Sequence, residues 1–434
     1  MNRTKILAAM LFVLGAVPLA QAQQTASPAA PPADKGEYVA RAGDCIACHS
    51  VTGGKPFAGG LKMGTPLGAI YSTNITPDPD TGIGNYSLAD FDSAVRGGVA
   101  KDGHRLYPAM PYPSYAKITD DDVRALYDFF MKQVPPVKQA NKPSEIKGIM
   151  GIRWPLAIWN MLFMDKGVYV AKKDHDDAWN RGAYLVEGLE HCGACHTPRG
   201  LAFQEKALDA SGSAFLQGAE LDAWSAPNLR GDLRTGLGSW SKEELASFLK
   251  TGHNEKAVAF GSMIDVLNNS TPYLSDDDLS AMAVYLKSLP ATTQQVAFVY
   301  NDAATKELQS GKPQQPGAAV YLGNCMSCHG ADGKGQAPFI PPLAGNPAVL
   351  DGIPSSLINL VLNSAEPLVV KGMPDAYRMP QYRVQLTDDE IAQALSFVRS
   401  AWGNDAAAVT PAQVKALRPI TDPSSDRVIV LKMR

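Results

Sequence analysis

The chain has 434 residues, with 40 lysines and arginines against 43 aspartates and glutamates, 45% hydrophobic residues and six cysteines. A formal charge of −3 without a long basic run excludes the electrostatic footprint of a nucleic-acid-binding protein. The length allows two to four domains.

The first 22 residues read as an export signal. Arg3 and Lys5 form a charged start, Ile6 to Leu19 is mostly apolar, and Ala20-Gln21-Ala22 is a small-x-small cleavage site. Cleavage after Ala22 leaves 38 basic and 43 acidic residues, a formal charge of −5. Residues 23–34 read as a flexible leader. Beyond the signal no uninterrupted apolar stretch is long enough to span a bilayer.

A first unit is expected over 35–135. A helical stretch from Gly36 to Ala47 runs into Cys45-Ile-Ala-Cys48-His49. Thr81-Gly-Ile-Gly84 precedes Tyr86-Ser87 and a helix carrying Asp90 and Phe91, and Met110 follows in Tyr107-Pro-Ala-Met-Pro-Tyr112. Thr119 then caps a closing helix, with an acid three residues on as in a capping box and further acids favouring the positive end of the helix dipole. Val123, Leu126, Tyr127 and Phe130 recur on one face, which should pack on the leading helix of the unit.

Residues 136–178 form a linker whose segment 149–164 sets Trp154 and Trp159 among aliphatics. It suits either the apolar underside of a linker packed across two units, the favoured reading, or a lipid interface or quinone neighbourhood. A second unit over 179–290 repeats the first: Trp179 to Ala194 runs into Cys192-Gly-Ala-Cys195-His196, Thr235-Gly-Leu-Gly238 precedes Trp240-Ser241 and a helix with Glu244, Met263 follows, and Ser275 caps the closing helix. After a second linker, 291–315, a third unit over 316–403 runs from Gly317 to Ser327 into Cys325-Met-Ser-Cys328-His329. It departs in using Pro341-Pro-Leu-Ala-Gly-Asn346 and a helix from Pro354 or Ser355, then carries Met379 before a helix capped at Thr387. The tail, 404–434, holds a short helix capped at Thr410 with Pro411 at its first position.

All six cysteines thus sit in three copies of C-x-x-C-H, the attachment signature of a c-type haem. Two thiols one turn apart can add to the two vinyl groups of one porphyrin, and the next histidine is placed to ligate the iron. Three local disulfides would not explain a histidine after every pair. A zinc site would need two such pairs brought together, and a thioredoxin-like motif would occur once in an α/β pattern. The motifs imply three covalently bound haem c groups, held through Cys45 and Cys48, Cys192 and Cys195, and Cys325 and Cys328, with His49, His196 and His329 on the iron. A haem also replaces much of the apolar core that a short helical domain lacks.

The sixth iron position decides the function, since methionine there raises the potential and closes the iron, whereas an open site allows catalysis. Met110 lies nine residues before the Thr119 cap, Met379 eight before Thr387, and both precede a proline. Met263 lies twelve before Ser275 and lacks that proline. These three are the expected distal ligands. Met373 is a rival of Met379, and His104 and His253 are alternatives that surface or propionate contacts explain more simply. The glycine pairs Gly53-Gly54 and Gly97-Gly98 are turns rather than phosphate cradles.

Together with the export signal and the three haem motifs, Ser72-Thr-Asn-Ile-Thr-Pro-Asp78, Thr81-Gly-Ile-Gly84, the Met110 loop and Arg399-Ser-Ala-Trp-Gly-Asn404 make the chain resemble the tri-haem cytochrome c subunit of bacterial membrane-bound alcohol, gluconate, sorbitol and fructose dehydrogenases. The resemblance covers nearly the whole mature chain. It implies a mainly α fold of three tandem class I-like cytochrome c domains. It implies a subunit that is not catalytic alone, partnered by a large dehydrogenase subunit carrying FAD or pyrroloquinoline quinone, and passing electrons to ubiquinone. The expected location is the periplasmic face of the inner membrane, with peripheral membrane contact. Other readings are an acceptor subunit of a molybdenum hydroxylase or aldehyde-oxidising enzyme, a free-standing haem enzyme, and a soluble electron shuttle.

Overall fold

Each leading helix crosses the closing helix of its own unit, and this crossing occurs three times in the computed structural model. Lys35–Ala42 packs on Asp120–Lys132, Asp177–Tyr184 on Asp276–Ser288, and Ala318–Asn324 on Asp388–Ser400. The structure describes residues 34–65, 67–165, 167–221, 223–365, 368 and 377–423. The expected export signal and all but the last residue of the leader lie outside the described residues, as does Met373. Glycine makes each crossing close: a Cβ on Gly36, Gly182 or Gly317 would collide with the backbone carbonyl of Ala125, Ala281 or Gln393.

The expected continuous runs into the haem motifs are broken. The first ends at Gly43 and Asp44, where Asp44 takes a left-handed conformation (φ 47°) before the single turn Cys45–Cys48. In the second, a π-helical turn over Leu185–Leu189 intervenes before Gly193–His196. Such a turn accommodates an extra residue inside a helix.

The capping signals bear out in position but not always in chemistry. Ser87, Ser241, Thr387 and Thr410 form reciprocal boxes with Asp90, Glu244, Glu390 and Gln413. Thr119 and Ser275 each accept from the backbone N–H three residues on, yet their boxes are not closed by Asp122 and Asp278. A tyrosine of the other unit is inserted instead. The Ser275 N–H donates to the Tyr38 hydroxyl (3.1 Å), which donates to Asp278 (2.6 Å). The Thr119 N–H donates to the Tyr184 hydroxyl (3.4 Å), which donates to Asp122 (2.5 Å). Arg181 and Lys35, each one residue before a crossing glycine, complete the pairs at 2.6 and 2.9 Å.

The first two units therefore do not stand as separate beads. Leu126 and Phe130 belong to one continuous core with Leu185, Leu189, Tyr285 and Leu286. The third unit has its own core around Tyr321, Ile358, Phe397 and Trp402. It meets the second through a small apolar contact of Leu368 with Ala259, Ile264 and Leu267, through Phe339 against His253, and through polar groups. The tail helix, Pro411–Ile420, packs along the closing helix of the third unit, where Arg418 reaches Asp388 at 2.7 Å. The motif Arg399 to Asn404 ties the third unit together: buried Arg399 donates to the Val349 and Ala407 carbonyls, and the Trp402 indole to that of Ala331.

Candidate haem sites

The cysteine pairs lie one turn apart at short helical segments and none of the six is in a disulfide. Burial pushes the Cys45 and Cys48 thiols up to about 12 and the Cys325 thiol up to about 11. Such surroundings oppose the thiolate that a zinc ligand or redox nucleophile requires, and leave the thiol form.

The histidine of each motif is fixed in the same way. His49 Nδ1 lies 2.7 Å from the Thr73 carbonyl, His196 Nδ1 2.8 Å from that of Pro227, and His329 Nδ1 3.3 Å from that of Pro341. A carbonyl can only accept, so Nδ1 carries the proton and Nε2 keeps its lone pair for a metal. Burial depresses the pKa of all three imidazoles, which favours that neutral form. In the first two units a hairpin delivers the carbonyl: Lys62–Thr65 pairs with Gly68–Tyr71, and Ala219–Leu221 with Trp224–Ala226. The strand then runs into Thr73-Asn74 or Pro227-Asn228. The third unit uses its Pro341-Pro342 turn, beyond an isolated bridge between Gln336 and Ile340.

All twelve expected site residues line one connected cavity of about 1460 Å³: the six cysteines, the three motif histidines, Met110, Met263 and Met379. Divided among three sites this gives roughly 490 Å³ each, within the range of about 300–1,000 Å³ for ligand pockets. Leu126, Phe130, Leu249, Leu286, Leu395 and Val398 make its walls apolar. The buried Trp240 indole N–H in that wall has no hydrogen-bond partner, a donor suited to the acidic edge of a porphyrin. Paired thiols, a preset imidazole, an apolar cleft and an orphaned donor fit haem c.

Met110 sits in a bend just ahead of the helix Tyr112–Tyr115, and Met379 in chain without regular structure. Met263 instead is the first residue of a helix, Met263–Asn269. The missing proline explains this, because proline disfavours helical geometry in the residue before it, as at Met110-Pro111 and Met379-Pro380. The other histidines make separate contacts, although His104 and His191 also line the cavity and the buried His253 Nε2 has no hydrogen-bond partner. His104 pairs with Asp102 at 2.5 Å, His175 stacks on Trp179, His191 packs edge-on to Tyr115, and His253 lies against Phe339.

Three buried acids at the seam of the first two units had no sequence signal. Asp44, Glu190 and Asp265 gather there with Arg41, and the Ser270 hydroxyl donates to Glu190. Burial, with the other carboxylates, pushes Asp44 well above the usual carboxyl range, and burial likewise raises Glu190. The first and second motifs meet at this seam, where the Tyr115 hydroxyl donates to the Gly43 carbonyl and its ring packs edge-on to His191. Glu205, beside the second motif, is pushed up to about 7 by burial despite nearby Arg199 and Lys117. Gly43 and Gly188 serve this seam: a Cβ on Gly43 would meet the Leu189 side chain at 3.6 Å, and one on Gly188 that of Lys117 at 3.2 Å.

The linker segment packs on both neighbouring units along one side and is exposed along the other. Trp159, Asn160 and Phe163 pack inward, whereas Trp154, Ile158, Met161 and Leu162 stay exposed.

Comparison with known proteins agrees with this chemistry. The sequence model of the family described as Cytochrome c matches residues 33–133 and 314–402. The chain is 51% identical to the gluconate 2-dehydrogenase cytochrome c subunit of Pantoea cypripedii, over 88% of this chain and 89% of that one. It is 46% identical to the cytochrome c subunit of the quinone alcohol dehydrogenase of Gluconacetobacter polyoxogenes, over 98% and 92%. It is 39% identical to the fructose dehydrogenase cytochrome subunit of Gluconobacter japonicus, over 89% and 83%. Covalently bound haem c, the mainly helical fold and the motif set together place this chain in the family of cytochrome c electron-transfer subunits of gluconate, alcohol and fructose dehydrogenases.

Proposed function

We propose that the chain holds three haem c groups and carries electrons from a flavin- or pyrroloquinoline-quinone-dependent dehydrogenase subunit to ubiquinone at the periplasmic face of the inner membrane. Haem c supplies one-electron transfer without moving atoms between substrates. Cys45 and Cys48, Cys192 and Cys195, and Cys325 and Cys328 tether through thioethers in units spanning 35–135, 179–290 and 316–403. His49, His196 and His329 present Nε2 because their Nδ1 protons are committed to carbonyls. Met110, Met263 and Met379 would supply the second protein ligand to each iron, which would exclude substrates and raise the potential.

The observation that carries this reading is the imidazole–carbonyl bond made three times, twice beyond a hairpin and once beyond the Gln336–Ile340 bridge. It supports the second motif equally, although the family model matches only the first and third. The test is to purify the native protein from membranes in mild detergent and identify the cofactor of a stoichiometric large partner. A flavin or pyrroloquinoline quinone subunit is the expected result. A chain that elutes alone and stays water-soluble would contradict it.

A further inference from the structure

The helix Leu156–Phe163 is built to keep one face in place and leave the other bare. Buried Asn160 accepts from the Tyr112 hydroxyl (2.9 Å) and donates to the Gly97 carbonyl (3.2 Å). The Trp159 indole donates to the Ala202 carbonyl at 2.8 Å. Those bonds fix the rotation of the helix. They leave Met161 68% and Leu162 63% exposed, with Ile158 beside them and Trp154 67% exposed at the approach to the helix. The Trp159–Ala202 bond brings in exposed Leu201 and Phe203 from a loop of the second unit. That loop is longer than its counterpart: Gly59 N–H bonds back to the His49 carbonyl in the first unit, and Gly218 N–H to that of His196 in the second.

Isolated exposed apolar residues are ordinary, but a contiguous apolar face marks a contact surface. The chemistry around this one favours a lipid surface over a protein. Residues 138–173 hold seven lysines and arginines against two acids, in a chain whose total formal charge is −3. Lys147, Lys172 and Lys173 are exposed. A protein interface of useful size would intersperse hydrogen-bonding groups through the patch, whereas the exposed side chains here carry a single polar atom, the Trp154 indole nitrogen. Apolar residues with tryptophan on one face and basic residues around it describe a helix lying in a membrane interface. No described helix is long and apolar enough to cross a membrane.

We propose that this face, helix Leu156–Phe163 with Trp154, Leu201 and Phe203, docks the protein flat on an anionic bilayer. The inference deepens the quinone-reducing reading and rests on it. Leu156 and Trp159 on the inward side line the haem cavity, and so do Leu201 and Phe203, whereas Trp154, Ile158, Met161 and Leu162 face away from it, so docking sets the mouth of that cavity at the lipid surface.

The test uses the haem-loaded protein with its dehydrogenase partner, and vesicles of phosphatidylglycerol and phosphatidylethanolamine, with phosphatidylcholine vesicles as the neutral probe. Met161→Glu/Leu162→Glu should lower partition to the anionic vesicles at least ten-fold, with haem content and partner retention in detergent unchanged. Met161→Gln/Leu162→Gln should lower it less, and guards against misfolding of the charged pair. Val384→Glu, at an exposed apolar residue elsewhere, should leave partition unchanged. Wild-type partition should be several-fold weaker on neutral vesicles. Unchanged partition of both Met161/Leu162 pairs would overturn the proposal. Loss of the dehydrogenase partner with vesicle binding intact would assign the face to that protein instead. Reduction of a water-soluble quinone analogue in detergent reports the underlying reading separately: if wild type fails there, the quinone-reducing reading falls whatever the vesicles show.

Discussion

The joint between the first and second units and the joint between the second and third solve the same problem in opposite ways. At the first, two units exchange side chains: Tyr38 enters the helix cap of the second unit and Tyr184 that of the first. Lys117 is buried against Glu187 at 3.0 Å, and Glu187 also accepts from Tyr285. At the second joint, Ser225 bonds Ser356 and Asp351, Asn346 bonds the Lys256 carbonyl, and Arg234 reaches Asp405 at 2.7 Å near the surface. The third unit has alanine at position 319, two residues after its crossing glycine, where the others carry tyrosine. It closes its own helix cap with Glu390 and is covered by its own tail helix. Two units that complete each other should melt together, and a unit that completes itself should be separable.

The strongest way to break the contrast is to remove Lys117. Lys117→Met leaves Glu187 buried without its cation and should cost about 3–5 kcal/mol, read as a fall in the denaturant midpoint with both of the first two units unfolding together. Tyr38→Phe and Tyr184→Phe each remove a hydrogen bond to a carboxylate and the partner of a cap N–H. Each should cost about 1.5–3 kcal/mol, and Ala319→Tyr in the third unit should bring no matching gain in melting temperature.

Two acids sharpen the contrast through pH. Glu205 is raised to about 7 by burial, so the folded chain keeps a proton that the unfolded chain releases near pH 4.5. Its contribution is complete below that value and is lost as pH rises through 7, a span of about 1–3 kcal/mol. Glu205→Gln should flatten this slope in thermal melts between pH 5 and 8. Asp278 behaves oppositely: burial would raise it, but Arg181 and Tyr38 hold it below the usual range. Its contribution is present at neutral pH and lost on acidification, so Asp278→Asn should remove part of the acid-side slope. The smallest effect is expected at the second joint. Arg234→Ala breaks a pair whose Asp405 side is 71% exposed and should cost no more than about 1 kcal/mol.

Much of the site was legible because its chemistry is local. Cys-x-x-Cys-His declares tether and ligand within five residues, and Thr119, Ser275, Thr387 and Thr410 declare helix starts through the acid or amide three places on. The unread parts depend on backbone or distance. The carbonyls of Thr73, Pro227 and Pro341, which set the imidazoles, belong to residues whose side chains say nothing of that role. The Tyr38–Asp278 pair joins residues 240 positions apart, and each looked complete within its own helix. The glycines of the helix crossings had a visible trace, since Gly36 and Gly182 are each followed two residues later by tyrosine, the same tyrosines that cross the seam. Nothing in the sequence sets Asp44, Glu190 and Asp265 apart, and the packing of two units onto each other buries them.

The central claim is that three sites of equal standing hold three haems, including the middle one that the family model does not match. The haem-to-protein ratio of the mature chain, from intact mass and the pyridine haemochrome spectrum, tests it most directly. Three haems are expected in the wild type and two in Cys192→Ala/Cys195→Ala. Two haems in the wild type, with the double variant unchanged, would contradict it.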